Sequence, residues 1–111
     1  MTPGSGARFS FATMLTESND LFYGFDPTGL ALFGTDGTPI RGDVTAQVAL
    51  YDAGTEVDEE PGIGLNQAIR QAAPDTGTDE NGTVVRVDGS NDGYSYPADD
   101  QIIRITITPT N

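Results

Sequence analysis

Hydrophobic and polar positions alternate along this chain in short bursts separated by turn residues. Phe9 and Phe11 alternate with polar neighbours before the run becomes mostly apolar, which predicts a strand over 8–15. Leu21–Phe25 reads as a short aromatic strand, Leu30–Phe33 as another, and Val44–Tyr51 as a longer one. Val84, Val85 and Val87 mark a further short strand. The clearest period-two signal lies over 101–109, where Ile103, Ile105 and Ile107 alternate with Arg104, Thr106 and Thr108. One stretch has a helical period: Leu65, Ala68, Ile69 and Ala72 share a face over 65–73, stopped before Pro74. Polar turns fill the gaps at 16–20, 26–29, 34–43 (with Asp36-Gly37 and Thr38-Pro39) and 88–100. Five or six short strands without βαβ alternation predict an all-β fold, an antiparallel β-sandwich, with no internal repeat.

Length sharpens this to a single domain over 1–111, with 1–6 a flexible edge whose leader is expected to be removed or to lie upstream. Glycine (14), proline (7) and frequent threonine favour strands and turns, and with 36% apolar residues the core is expected to be thin.

Charge narrows the partners. Five arginines and no lysine face seventeen acids, a formal net charge of −12. Phosphate binding needs a basic stripe, so a nucleic-acid partner is excluded, and contact with anionic lipid is expected only if calcium bridges the two surfaces. Such a surface suits a protein kept soluble in salt, in a halophile or a marine setting, and equally well ordinary acidic solubility. Cysteine and histidine are both absent, which removes disulfides, thiolate and imidazole metal sites and the Ser-His-Asp arrangement. Carboxylates, hydroxyls and arginines are left to do chemistry.

The densest chemistry follows the Val44–Tyr51 run. Five carboxylates, Asp52, Glu56, Asp58, Glu59 and Glu60, fall within Asp52–Glu60, just before Pro61. Gly54 can take a positive φ and turn the backbone so that Asp52 and Glu56 face one point. Clustered anions repel unless a cation sits among them, and hard oxygen ligands on a turn suit calcium. Asp58–Glu60 reads as a solvated run.

Phe11-Ala12-Thr13-Met14, Ser18-Asn19-Asp20-Leu21-Phe22 with Gly24, Tyr51-Asp52-Ala53-Gly54-Thr55-Glu56 and Gly77–Gly82 together resemble, in order, the spondin domain of F-spondin, mindin and many bacterial secreted proteins. The resemblance spans most of 3–108 and covers the later part of the domain, whose first strands lie upstream of the matching segments. It implies a β-sandwich related to the synaptotagmin-type calcium- and phospholipid-binding domains, lacking its first strands, with exposed edges open to self-association. It also implies calcium held by Asp20, Asp52 and Glu56. Glu56 stands where the animal proteins usually carry Asp, and Leu21 where a tryptophan often follows the first Asp. The implied role is a secreted or cell-surface adhesion and recognition module, whose ligand is extracellular matrix, a glycan or a surface protein.

Two other classes compete. A structural acidic domain would leave its loops merely solvated, and a glycoside hydrolase would use two carboxylates as acid and base. The calcium reading carries a geometric condition. Successive hairpins through 21–25, 30–33 and 44–51 would put Asp20 and Asp52 at opposite sheet ends, so the chain must change sheet in between. Asp75, Asp79, Glu80 and Asn81 form a second acidic loop without the glutamate or helices of an EF-hand. Asn81-Gly82-Thr83 matches a glycosylation acceptor, and Tyr94 and Tyr96 could form a partner platform or pack a loop.

Overall fold

A computed structural model describes residues 5–88 and 93–110. Met1–Gly4 of the expected flexible edge and residues 89–92 of the expected 88–100 loop lie outside them. Among the described residues eight short strands run in chain order: β1 (Arg8–Phe9), β2 (Ala12–Met14), β3 (Leu21–Gly24), β4 (Leu30–Ala31), β5 (Gly42–Asp43), β6 (Ala49–Asp52), β7 (Val85–Arg86) and β8 (Thr106–Ile107). Among the described residues helix is confined to a 3₁₀ turn at Thr45–Gln47 and α1 at Asp99–Ile102. The fold is thus all-β, with β1 paired to β4, β5 to β8, and a four-stranded sheet ordered β2-β3-β6-β7. Among the described residues no helix is long and apolar enough to cross a membrane.

The chain forms two compact units. One comprises Met1–Ala12, Gly24–Ala49 and Pro97–Asn111. Here the antiparallel β1–β4 pair sets Arg8 opposite Ala31 and Phe9 opposite Leu30. The Arg8 guanidinium donates to the Thr28 and Gly29 carbonyls at 2.6 and 2.7 Å, fixing the strand to the turn before β4. Phe9 and Phe11 both meet the buried Phe25 ring, at 6.0 and 4.9 Å between centroids. The predicted 8–15 strand therefore breaks after Phe9, because its two halves find different partners.

Val44–Tyr51 also departs from a single strand. Asp43 Oδ1 accepts from the Thr45 N–H at 2.8 Å, and the backbone closes turns from Gln47 to Val44 and from Val48 to Thr45. Val44 and Val48, four residues apart, are thereby both buried at 8% and 4% exposure. A local aspartate cap with two valines at helical spacing outweighs the strand preference of the run. The C-terminal segment is corrected likewise: 99–102 is helical, its first turn carrying Asp99 and Asp100 where the helix dipole favours anions. Only Thr106–Ile107 pairs as strand, with Asp43 opposite Thr106. The predicted alternation survives in burial, with Ile103, Ile105 and Ile107 half-buried and Arg104, Thr106 and Thr108 exposed.

Turn carboxylates in this unit make stability depend on acid. Hydrogen bonds from Thr28, first the hydroxyl and then the N–H, hold Asp26 below the ordinary aspartate range, and Thr45 with Arg104 does the same for Asp43. A lowered folded-state pKa means that the unfolded chain takes up protons first as pH falls. The stabilisation is present above about pH 4 and is lost below it. Melting temperature is expected to fall between pH 5 and pH 2.5, with a shallower slope in Thr28→Val. An equal slope would remove Asp26 from the explanation.

The other unit comprises Thr13–Tyr23 and Leu50–Tyr96. Leu21 and Tyr23 are buried on alternate positions of β3, at 0% and 1% exposure, and Phe22 stacks on Tyr51 at 5.6 Å. The Asp20 carbonyl accepts from the Ala53 N–H at 3.3 Å, so the start of β3 lies beside the end of β6 and the two run antiparallel. β4 and β5 belong to other sheets, which meets the condition that Asp20 and Asp52 share a sheet end. β7 pairs antiparallel with β6, Val85 opposite Asp52.

The predicted 65–73 helix is replaced by separate turns closed from Gln67 to Gly64 and from Arg70 and Gln71 to Gln67. Its expected apolar face is outside, with Leu65 at 76% and Ile69 at 52% exposure, while Gln67 is fully buried.

Candidate metal centre

Ser18-Asn19-Asp20 gives each residue a separate task in one turn. Ser18, 2% exposed, donates to the Leu15 carbonyl at 2.5 Å and accepts from the Leu21 N–H at 3.1 Å, which shapes the entry to β3. Asn19 reaches across to the acidic stretch. Its Oδ1 accepts from the Glu59 N–H at 3.1 Å, and its Nδ2 donates to Glu59 Oε1 at 3.0 Å and Glu56 Oε2 at 3.3 Å. Asp20 Oδ2 accepts three bonds, from the Thr55 N–H and hydroxyl at 2.7 Å each and the Glu56 N–H at 3.0 Å. The acidic stretch is thus sewn to this turn at 55, 56 and 59. Asp58 is carried between those stitches.

Asp52 ends β6 at 6% exposure and accepts the Gly54 N–H on Oδ1 at 2.7 Å, the aspartate turn that a glycine at φ +74° completes. Asp20, Asp52 and Asp58 each offer a carboxylate oxygen, and these atoms lie within 4.8 Å of one another. Oxygens about 2.3–2.6 Å from one calcium lie up to about 5 Å apart, so the spacing matches a shared cation. Asp20 Oδ1 is buried and accepts no hydrogen bond, although Oδ2 of the same group is saturated. A buried oxygen without a donor is costly unless another positive partner is supplied.

The sequence reading named Asp20, Asp52 and Glu56. The first two are brought together, and the third member of the group is Asp58, which had been read as part of a solvated run. Glu56 is buried at 6% exposure and turns to the Asn19 amide instead. Glu56 and Asp58 lie two apart, the same side of an extended segment. The stitches from Asn19 and Asp20 decide between them, and these span 35 to 40 residues of sequence.

The second acidic loop is joined to the first. Val57 and Glu80 N–H groups donate to the Thr78 and Thr55 carbonyls at 2.8 and 3.0 Å, and Gly82 donates to Gly54 at 2.7 Å. The loop therefore lies along 54–57 as a strand would, with Glu56 opposite Asp79. Glu80, although exposed, is thereby placed near Asp52 and Asp20. Removal from water, then the Asp52 and Asp20 charges, push its carboxyl above the ordinary glutamate range. Glu59 is shifted the other way, held low by the Asn19 amide first and then by donors around Asn66.

Other expectations sit apart from this centre. Asn81 is exposed in the left-handed region at φ +58°, and Tyr94 and Tyr96 are half-buried, as loop packing would have them. A groove of about 410 Å³ in the first unit is lined from 32–40 and 107–110 by apolar and threonine side chains, without a carboxylate. Neither a family model, nor a curated protein, nor a solved structure matches this chain.

Proposed function

We propose that this chain is a non-catalytic calcium-binding recognition module, its ion held by Asp20, Asp52 and Asp58. The observation that carries the reading is the convergence of three carboxylate oxygens within 4.8 Å at one sheet end, one of them on a residue whose Oδ1 is buried and accepts no bond. Calcium fits the donor set because all three ligands are hard oxygens and the chain has neither cysteine nor histidine to favour a softer metal. The ordered motifs shared with spondin domains support the same ion and, beyond it, a sandwich of the synaptotagmin-type topology. They also support a secreted or surface setting, with matrix, glycan or cell-surface ligands.

In this reading the bound ion ties the β3 turn to the 55–59 segment and stiffens that end of the sheet for recognition. Three carboxylates on loops make an incomplete shell, so the affinity is of the extracellular class, with Kd about 10⁻⁴–10⁻³ M. A calorimetric titration with calcium chloride tests the assignment. Wild type and Glu56→Gln are expected to bind, whereas Asp58→Asn is expected to lose at least tenfold. Loss in Glu56→Gln with retention in Asp58→Asn would return the third ligand to Glu56. No binding by the wild type would sink the calcium reading.

A further inference from the structure

The loop over 61–69 inverts the usual distribution of polarity. Its one fully buried side chain is an amide: Gln67 is 0% exposed, while Ile63, Leu65 and Ile69 are 63%, 76% and 52% exposed. The inversion is built in by specific bonds. Gln67 Nε2 donates to the Glu59 and Glu60 carbonyls at 3.3 and 2.7 Å, and its Oε1 accepts from the Gly62 N–H at 3.0 Å and from Arg70 at 3.3 Å. Glu59 Oε1 accepts the Asn66 N–H at 3.0 Å, and the Gly62 N–H also reaches the Glu17 carbonyl at 3.3 Å. Gly64 sits so close to Glu59 and Gln67 that a Cβ there would lie 2.5 and 2.8 Å from them, so the turn is tight. A loop stapled from inside by an amide cannot fold its isoleucine and leucine inward without breaking those bonds. Apolar side chains exposed singly are ordinary, whereas several gathered on one turn and unable to fold inward point to an interaction surface.

We propose that this loop docks on a protein partner that offers an apolar pocket with a cationic rim. Ile63 and Leu65, on either side of Gly64, are the anchors. Charge selects the partner, because the exposed acids beside the loop are Glu17, whose carboxylate reaches Gly62, and Glu60, while Arg70 is tied to Gln67. A second copy of a chain with net charge −12 and no lysine is repelled, and so is an anionic membrane. Rigidity helps, since a pre-formed turn loses little entropy on binding. The inference does not depend on calcium.

The test is an NMR titration of the whole chain with a helical leucine–lysine peptide, beside an oligolysine of equal charge. The leucine–lysine peptide is expected to shift amide signals of 62–70. Ile63→Ser/Leu65→Ser should weaken it about tenfold for each anchor lost from contact with the peptide's leucine face. That variant keeps every charge, and because both side chains are exposed its melting temperature should equal that of wild type. The proposal is overturned if the variant binds the peptide as well as wild type, or if oligolysine binds equally tightly, since charge alone would then suffice. It is equally overturned if the shifts fall outside the loop. Loop shifts produced by phosphatidylcholine vesicles, or by raising the concentration of the chain alone, with no response to the peptide, would replace the partner by a membrane or a second copy. The wild-type shift map decides the matter even if the variant fails to fold.

Discussion

Alanine at position 54 is expected to destabilise this protein by about 2–5 kcal/mol, a large share of the roughly 5–15 kcal/mol that holds an ordinary domain folded. Gly54 has φ +74°, where a side chain costs about 1–2 kcal/mol by clashing with its own backbone. The space around it adds more. A Cβ would stand 2.7 Å from the Thr83 carbonyl oxygen and 2.8 Å from both the Gly82 carbonyl carbon and the Thr83 nitrogen. All three are backbone atoms, pinned by the 2.7 Å bond from Gly82 to the Gly54 carbonyl, so nothing can swing aside cheaply. Gly42 is the internal control. Its φ is +91°, yet a Cβ there meets nothing within 4 Å, so Gly42→Ala should cost only the conformational part, about 1–2 kcal/mol. Urea unfolding of the two variants separates the terms. Equal midpoints would show that the 82–83 backbone gives way, and the close approach of the two loops would lose its structural importance.

The second large effect concerns the sign of a charge removal. Asp52→Asn keeps the Oδ1 that accepts the Gly54 N–H but removes one anion from a group whose oxygens lie within 4.8 Å. Without calcium the variant is expected to melt at the same temperature as wild type or above it, because like-charge repulsion falls and the turn is intact. Addition of 10 mM calcium reverses the order. With Kd about 10⁻⁴–10⁻³ M, the wild type should gain about 1.4–2.7 kcal/mol, a rise of roughly 5 °C or more, and the variant should gain little. Sodium chloride at matched ionic strength separates binding from screening. Should the salt raise wild type as far as calcium does, the carboxylates would be repelling one another without forming a site.

Particular residues show how far the sequence could be read. β3 and β7 were legible because Leu21, Tyr23 and Val85 sit in short apolar runs bounded by turn residues, and their pairing needs nothing more local. Within the 44–51 run, Ala49–Tyr51 is strand as expected, but 44–48 was misread because a strand pattern and a capped turn share the same valines, and the cap lies in Asp43, outside the apolar run. Gln67 was invisible. A glutamine among Leu65, Ala68 and Ile69 looks like the polar side of a small helix, and only three backbone partners from 59–62 explain why it is inside. Asp20 and Asp52 stand out in the sequence because each borders a readable element beside a turn. That Asp58 lies beside them was not legible, because nothing in Asp-Glu-Glu-Pro distinguishes a clustered carboxylate from a solvated one.

The sequence alone determined the all-β class, the absence of soft metal ligands, the anionic surface and the turn at Gly54, since each follows from residue type or local period. Tertiary structure decided which carboxylates converge and which apolar side chains stay outside. Both outcomes rest on hydrogen bonds between segments remote in sequence, such as Asn19 to Glu59 and Asp20 to Thr55. Whether an acid becomes a neighbour or a solvated charge depends on where the backbone beneath it is fastened. That fastening is long-range.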